Sequence, residues 1–236
     1  MPGPKNCYQH FCPAARALEI VGEKWSLLIV RDLLGGPRRF SDLRRSLTAI
    51  TPKWLSIRLQ ELEEAGVVAR EAAGPREVWY RLTPRGQALA PLIEELFVWG
   101  VEHALRPPYP GEAVHPGRAI ATFVTYLNHR GVRLPAPVTW VVQVTGRGSY
   151  TIRFDGQRWS RERGDGAGDV AVELSPDDWG NYLTATADER QRWLERAGAQ
   201  GDPKRIAEFA RTFGRQTPAP PHEATAAAAG SHGSTG

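Results

Sequence analysis

Apolar residues recur at a spacing of three to four over most of residues 14–105, and at every second position in much of residues 138–174. The first period predicts helices and the second predicts strands. Residues 14–21 and 24–34 both have helical spacing, and the second run stops at Gly35-Gly36-Pro37. Ser41 is placed to cap a short helix over residues 42–47. Thr51 as N-cap with Pro52 at the first helical position opens another, which runs to Ala65 and stops at Gly66. On that helix Leu55, Leu59 and Leu62 share one face and are predicted to pack inward. Lys53, Ser56, Ile57 and Gln60 occupy the opposite face, flanked by Trp54 and Arg58. Residues 67–71 and 78–82 are predicted strands around the turn Gly74-Pro75, a β-hairpin with Arg76 at its tip. Thr83-Pro84 then opens one long predicted helix, residues 85–105, with Leu89, Leu92, Leu96, Val98 and Trp99 giving it an apolar side.

Arg106-Pro107-Pro108-Tyr109-Pro110-Gly111 breaks any helix. It divides the chain into residues 1–106, a linker at 107–115, a second domain at 116–215 and a tail at 216–236. The tail is Pro-rich and short of large apolar groups, so it is expected to be disordered. The second domain reads as α+β. A helix at 117–130 carries Ile120, Phe123, Val124 and Leu127. Strands at 138–145, 149–154, 157–161 and 169–174 follow, with Asp155-Gly156 as a hairpin turn. Ser175 caps a helix bearing Trp179, Tyr182 and Leu183, and Asp202-Pro203 opens a last helix with Ile206, Phe209 and Phe213.

Charge sharpens the picture of the first half. The net charge of the 236 residues is only +4, yet residues 37–60 hold six basic side chains against one acid, Asp42. A helix-turn-helix followed by a hairpin, under a local cationic patch, fits duplex DNA. Lys53, Ser56, Ile57 and Gln60 are expected at base edges. Arg38, Arg39, Arg44, Arg45, Arg58 and Arg76 are expected at phosphates, and Ser41, Thr51 and Trp54 complete the candidate surface. The apolar side of helix 85–105 exceeds what one small domain can bury, which predicts a twofold dimer. In the second domain Phe123, Leu127, Trp140, Val142, Tyr150, Ile152, Phe209 and Phe213 either close a solid core or line a cavity for an apolar small molecule.

Other chemistries find little support. Cys7 and Cys12 form no disulfide framework and no zinc-ligand spacing, so neither metal nor cofactor is expected. The histidines are scattered, the Gly-rich segment 164–168 lacks a following Lys or helix, and Asp177 and Asp178 suit a helix N-terminus, so no catalysis is expected. No run of about 18 apolar residues and no signal-peptide pattern is present, which predicts a cytoplasmic protein that makes no membrane contact. Cys12 precedes a helix start, where free N–H groups favour a thiolate; it is either a redox sensor or a structural thiol.

Cys12-Pro13, Gly22-Glu23-Lys24-Trp25, Leu33-Leu34, Arg39-Phe40-Ser41-Asp42-Leu43, Glu61-Leu62-Glu63, Gly66-Val67-Val68, Leu82-Thr83-Pro84 and Trp99-Gly100 form an ordered series over residues 7–105. The series resembles the HxlR-type winged helix-turn-helix regulators of the MarR-like group. The resemblance implies dimeric, DNA-binding regulators, some of which sense oxidants or electrophiles through a cysteine at the place of Cys12. Trp54 departs from it, being bulkier than expected beside the groove. In the second half, Ser149-Tyr150, Ile152, Asp155-Gly156, Leu174-Ser175, Asp177-Asp178-Trp179 and Gly201-Asp202-Pro203 resemble the sterol-carrier-protein type 2 domain, which implies a sheet and helices around an apolar cavity. Residues 197–200 are less apolar than that resemblance implies. The combined expectation is an α+β chain, a winged helix-turn-helix domain followed by a sterol-carrier-like domain. Its expected function is a homodimeric repressor controlled by an apolar small molecule. Redox control through Cys12, or a lipid-binding module with a vestigial DNA-binding half, are the alternatives.

Overall fold

The structure is a computed structural model that describes residues 7–74, 77–164 and 166–214; Arg76 and the expected tail at 216–236 lie outside them. The chain divides into two compact units, Met1–Phe97 and Val98–Gly236. Each has its own core.

The first unit opens with α1 (Pro13–Val21) and α2 (Ser26–Leu34). Helix α2 starts two residues later than the apolar spacing predicts, because Trp25 sits at φ 82°, in the left-handed region. Strand β1 (Arg38–Arg39) leads directly into α3 (Phe40–Ser46). The expected cap, Ser41, lies inside the first turn instead. The Arg39 backbone N–H donates to Asp42 Oδ2 at 3.2 Å and so starts the helix earlier. Helix α4 (Pro52–Glu64) begins as predicted: Thr51 Oγ1 accepts from the Trp54 backbone N–H at 3.3 Å. It ends before Gly66, whose φ of 68° suits a residue without Cβ. Strands β2 (Val68–Gly74) and β3 (Glu77–Leu82) form the hairpin, and β1 joins it in the order β1-β3-β2.

The single long helix predicted for 85–105 is not continuous. It comes as α5 (Pro84–Gln87), α6 (Ala90–Trp99) and a π-helical turn, Gly100–Ala104. The first piece is tied to the hairpin. Thr83 donates its N–H to the Val67 carbonyl at 3.1 Å, and its hydroxyl oxygen accepts from the Gly86 N–H at 3.2 Å. A Cβ on Gly86 would stand 2.2 Å from the Val67 oxygen, so only glycine fits there. The core of this unit is Ile29, Val30, Leu33, Leu43, Leu55, Leu59 and Leu62, each at most 2% exposed.

In the second unit, α7 (Pro116–His129) precedes β4 (Val138–Val144), β5 (Gly148–Phe154), β6 (Trp159–Arg163) and β7 (Val170–Leu174). Then come α8 (Pro176–Thr184), α9 (Ala187–Arg196), β8 (Gln200–Gly201) and α10 (Pro203–Thr212). The five-stranded sheet runs β6-β5-β4-β7-β8, with β4 and β7 parallel and the other pairs antiparallel. Helix α9 is not among the predicted elements; Trp193 and Leu194 are its only large apolar residues, too few for a clear period.

Two expectations change here. Phe123, Leu127, Trp140, Val142, Tyr150, Ile152, Phe209 and Phe213 are all buried, and the rings of Phe123, Trp140, Phe209 and Phe213 meet one another. Trp140 lies 4.8 Å from Phe209 and 6.2 Å from Phe213 between ring centroids, and Phe123 lies 5.6 Å from Phe213. All eight belong to one buried cluster. The Pro-rich segment is also more than a linker, since Val98, Val101 and Leu105 before it and Val114 within it pack into the same core. Pro108 rests on α8 at Gly180, where a Cβ would come within 2.6 Å of the proline ring.

Arg190 closes this unit from α9. It is 1% exposed, and it donates from Nε to the Ala210 carbonyl and from Nη1 to the Ala185 carbonyl, both at 2.6 Å. These carbonyls belong to the end of α10 and the residue after α8, where backbone acceptors lack helical partners. Replacing it, Arg190→Met, strands both buried acceptors. The expected loss is about 2–4 kcal/mol in the urea unfolding of this unit, followed by tryptophan fluorescence.

Candidate nucleic-acid interface

The surface built by α3, α4 and the hairpin follows from one packing decision. Leu55, Leu59 and Leu62 are buried, so Lys53, Trp54, Ser56 and Gln60 are turned to solvent and Ile57 is half-buried. This agrees with the face expected from spacing. Gln60 Nε2 donates to Glu64 Oε1 at 2.9 Å along the helix, a contact that exposed groups exchange readily for another acceptor. Helix α3 is seated by Leu43, Leu47 and Ile50, all at most 4% exposed, and by the Ser46 hydroxyl, which donates to buried Asp32 of α2. Arg31 donates to the same carboxylate at 3.0 Å.

The cations expected at phosphates divide into three groups. Arg38, Arg44 and Lys53 are exposed and make no ion pair among the described residues. Arg45 is exposed and reaches Asp42 at 3.4 Å, a weak, screened pair. Arg39 is held more firmly: it pairs with Glu77 and lies over the Trp79 ring at 4.8 Å to the centroid. Ser41 and Thr51 are exposed beside these groups.

Arg58 departs from the expectation. It is 7% exposed, and its Nη1 lies 2.6 Å from Glu61 and 3.5 Å from Glu23. Its guanidinium also faces the Trp54 ring at 5.6 Å. Position 58 is three residues after Leu55, on the margin of the buried face, and a long side chain there reaches back to the carboxylates of α4 and the α1–α2 turn. It ties helices together and is not free for phosphate. Trp54, half exposed, has that guanidinium beside its ring. Sequence reasoning also passed over Arg70 of β2, exposed and opposite Tyr80, which in turn faces Arg38 across the sheet. Alternation along the hairpin was the signal available for it.

Cys12 is the N-cap residue of α1. Its side chain makes no full-geometry cap hydrogen bond, but the first-turn amides of Ala15 and Ala14 still hold its thiol below the ordinary value. Cys7 Sγ accepts from Arg16 Nη1 at 3.6 Å. Among the described residues no cluster of three or more His, Cys, Asp or Glu could hold a metal. No helix of the described residues is long and apolar enough to cross a membrane.

A helix-turn-helix carrying an exposed polar helix, a three-stranded wing and a cationic border is the architecture of a DNA-binding regulator. The family model for HxlR-like helix-turn-helix proteins matches residues 20–107. The HTH-type transcriptional regulator YvaP of Bacillus subtilis is 40% identical over 94 residues, 39% of this chain and 87% of that protein. Rv3095 of Mycobacterium tuberculosis, described in the same way, is 44% identical over 97 residues, 40% of this chain and 61% of that protein. The solved reduced form of the transcriptional regulator YodB from B. subtilis is 32% identical and covers 40% of this chain and 96% of that chain, at a TM-score of 0.36. The chain belongs to the HxlR-like helix-turn-helix family and is a DNA-binding transcriptional regulator.

The burial of Arg58 gives an expectation opposite to that for a phosphate contact. Arg58→Ala should lower the urea midpoint of the first unit by the equivalent of about 1–3 kcal/mol. It should leave the salt dependence of DNA binding unchanged at temperatures where the variant is folded.

Proposed function

We propose that the protein is a homodimeric repressor that lays α4 in the major groove. Lys53, Ser56, Ile57 and Gln60 face base edges, while Arg38, Arg44, Arg45 and the wing, with Arg70, meet phosphates. The observation that carries this reading is the two-sidedness of α4, leucines buried and short polar groups exposed, beside Arg38, Arg44 and Lys53, which make no ion pair among the described residues. A dimer seated on its operator blocks transcription by occupancy alone. Arg44→Ala should weaken binding to all duplexes alike and reduce the slope of log K against log salt by about 1. Gln60→Ala should instead change the preference at one base pair, read by binding to a set of single-substituted operators. Absence of duplex binding by the unmutated protein at low salt would overturn the reading and leave the second unit as the working part.

Dimerisation is supported by apolar side chains that the single chain leaves in water. Leu92, Leu96 and Trp99 of α6 are 42%, 43% and 58% exposed, and Phe11, Leu18 and Leu28 are exposed as well. Grouped apolar exposure marks association surfaces, and a twofold pair implies half-sites about one helical turn apart. The double variant Leu96→Glu, Trp99→Glu should run as a monomer in light scattering and bind DNA at least tenfold more weakly. A monomeric unmutated protein would contradict the dimer.

The expected control by an apolar ligand has a weaker motive now, since such a ligand would have to displace a packed aromatic core. Oxidant or electrophile sensing at Cys12 is the second reading, favoured by the partly exposed thiol at a helix start and the amides that lower its pKa. A lowered pKa means that the thiolate is present at a lower pH than in a free cysteine, about 8.5. In a Cys7→Ser background the alkylation rate by iodoacetamide should therefore rise to its plateau at lower pH than for glutathione. A coincident or higher profile would make Cys12 an ordinary structural thiol.

A further inference from the structure

On α9, Glu189, Arg192, Trp193 and Arg196 are spaced so that they share one face. Asn181 and Thr184 stand one turn apart at the end of α8. With Pro107 from the Pro-rich segment, these residues wall a groove of about 430 Å³ in the second unit. That volume lies within the range of small-molecule sites, about 300–1,000 Å³.

The chemistry of the walls is specific. The Arg196 guanidinium lies over the Trp193 ring at 5.1 Å, and Trp193 is half-buried against the core, so the ring has a fixed plane. Neither Arg192 nor Arg196 makes a direct ion pair among the described residues, and both are exposed. The one acid, Glu189, is committed: its Oε2 accepts from the Thr186 backbone N–H at 2.8 Å and from the Thr186 hydroxyl at 2.9 Å, as part of a capping box. Two guanidinium forks therefore face one engaged carboxylate. On the α8 side, Asn181 Nδ2 donates to the Asp177 carbonyl and Thr184 Oγ1 donates to the Asn181 carbonyl. What they have left to offer a ligand is the Thr184 oxygen and Asn181 Oδ1 as acceptors, and the second Nδ2 N–H of Asn181 as a donor.

We propose that this groove binds a small anion carried on a flat ring, an aryl carboxylate or aryl phosphate with a hydroxyl on the ring. Arg192 and Arg196 take the oxyanion through their planar forks, which match carboxylate and phosphate geometry. Trp193, with the Arg196 guanidinium over its ring, borders the ring of the occupant through the part of its side chain left exposed. Asn181 Oδ1 and the Thr184 oxygen accept from the ring hydroxyl. Because Pro107 forms part of the wall and Pro108 rests on Gly180, an occupant also touches the segment that follows the π-helical turn.

The test uses the full chain without DNA, so its outcome is independent of the DNA-binding reading. In low-salt isothermal titration, 4-hydroxybenzoate and 4-hydroxyphenyl phosphate are the probes. At least one should bind saturably at one site. Cyclohexanecarboxylate, which lacks the flat ring, and 4-hydroxybenzamide, which lacks the charge, should each bind at least tenfold more weakly than 4-hydroxybenzoate. Arg192→Gln with Arg196→Gln, both at exposed positions, should weaken the bound probe at least tenfold with an unchanged urea midpoint. Arg153→Gln, outside the groove, should have no effect. Failure of both probes to bind saturably, or affinity indifferent to the paired arginine substitution, overturns the proposal.

Discussion

The roll of α4 about its own axis is fixed by Leu55, Leu59 and Leu62. Each of these side chains is worth about 1.5–3 kcal/mol when removed from water, and all three lie on one stripe. Any rotation that freed one would expose the others in turn. The polar face is therefore held outward by burial on the opposite side rather than by contacts of its own. Thr51 fixes where the helix begins and Gly66 where it ends, so the face also has a fixed length. Leu43, Leu47 and Ile50, with the Ser46–Asp32 bond, hold α3 and the turn beside it.

Within this frame the cations of residues 37–60 have unequal freedom. An exposed pair such as Arg45–Asp42 is worth about 0.2–1 kcal/mol and is screened by salt, so a phosphate can compete for it. Arg39 must give up both a carboxylate and an aromatic face before it can move. Arg58 is buried beneath two exposed carboxylates, Glu23 and Glu61, and does structural work. The local charge surplus is real, but the part available to a polyanion is smaller than a count of arginines suggests, and it is concentrated at Arg38, Arg44 and Lys53.

The second unit shows the same sorting. Its large apolar groups are consumed by one another, from the Trp140–Phe209 edge contact to the Phe209–Phe213 stack. Arg190 uses its charge to satisfy the ends of two helices. What remains unspent is polar and lies on α9, the helix that hydrophobic periodicity did not reveal. Chemistry left over after packing is where recognition by a folded domain can reside.

The sequence by itself determined the helix-turn-helix, the hairpin, the leucine stripe of α4 and the strands β4, β5 and β7. These depend on local signals: a cap at Thr51, a stop at Gly66, alternation through Tyr150, Ile152 and Phe154. Tertiary structure alone decided four other matters. It paired the two residues of β1 with β3, too short a strand to leave a pattern. It broke the helix after Gln87, where Thr83 is bound to Val67 across the hairpin and Gly86 lies close against the same carbonyl. It buried Arg58, because Glu23 lies far from it in sequence and close in space. It brought the rings of Phe123, Trp140, Phe209 and Phe213 against one another, because apolar alternation states which side chains leave water, while only the approach of α7 and α10 to the sheet states which of them meet.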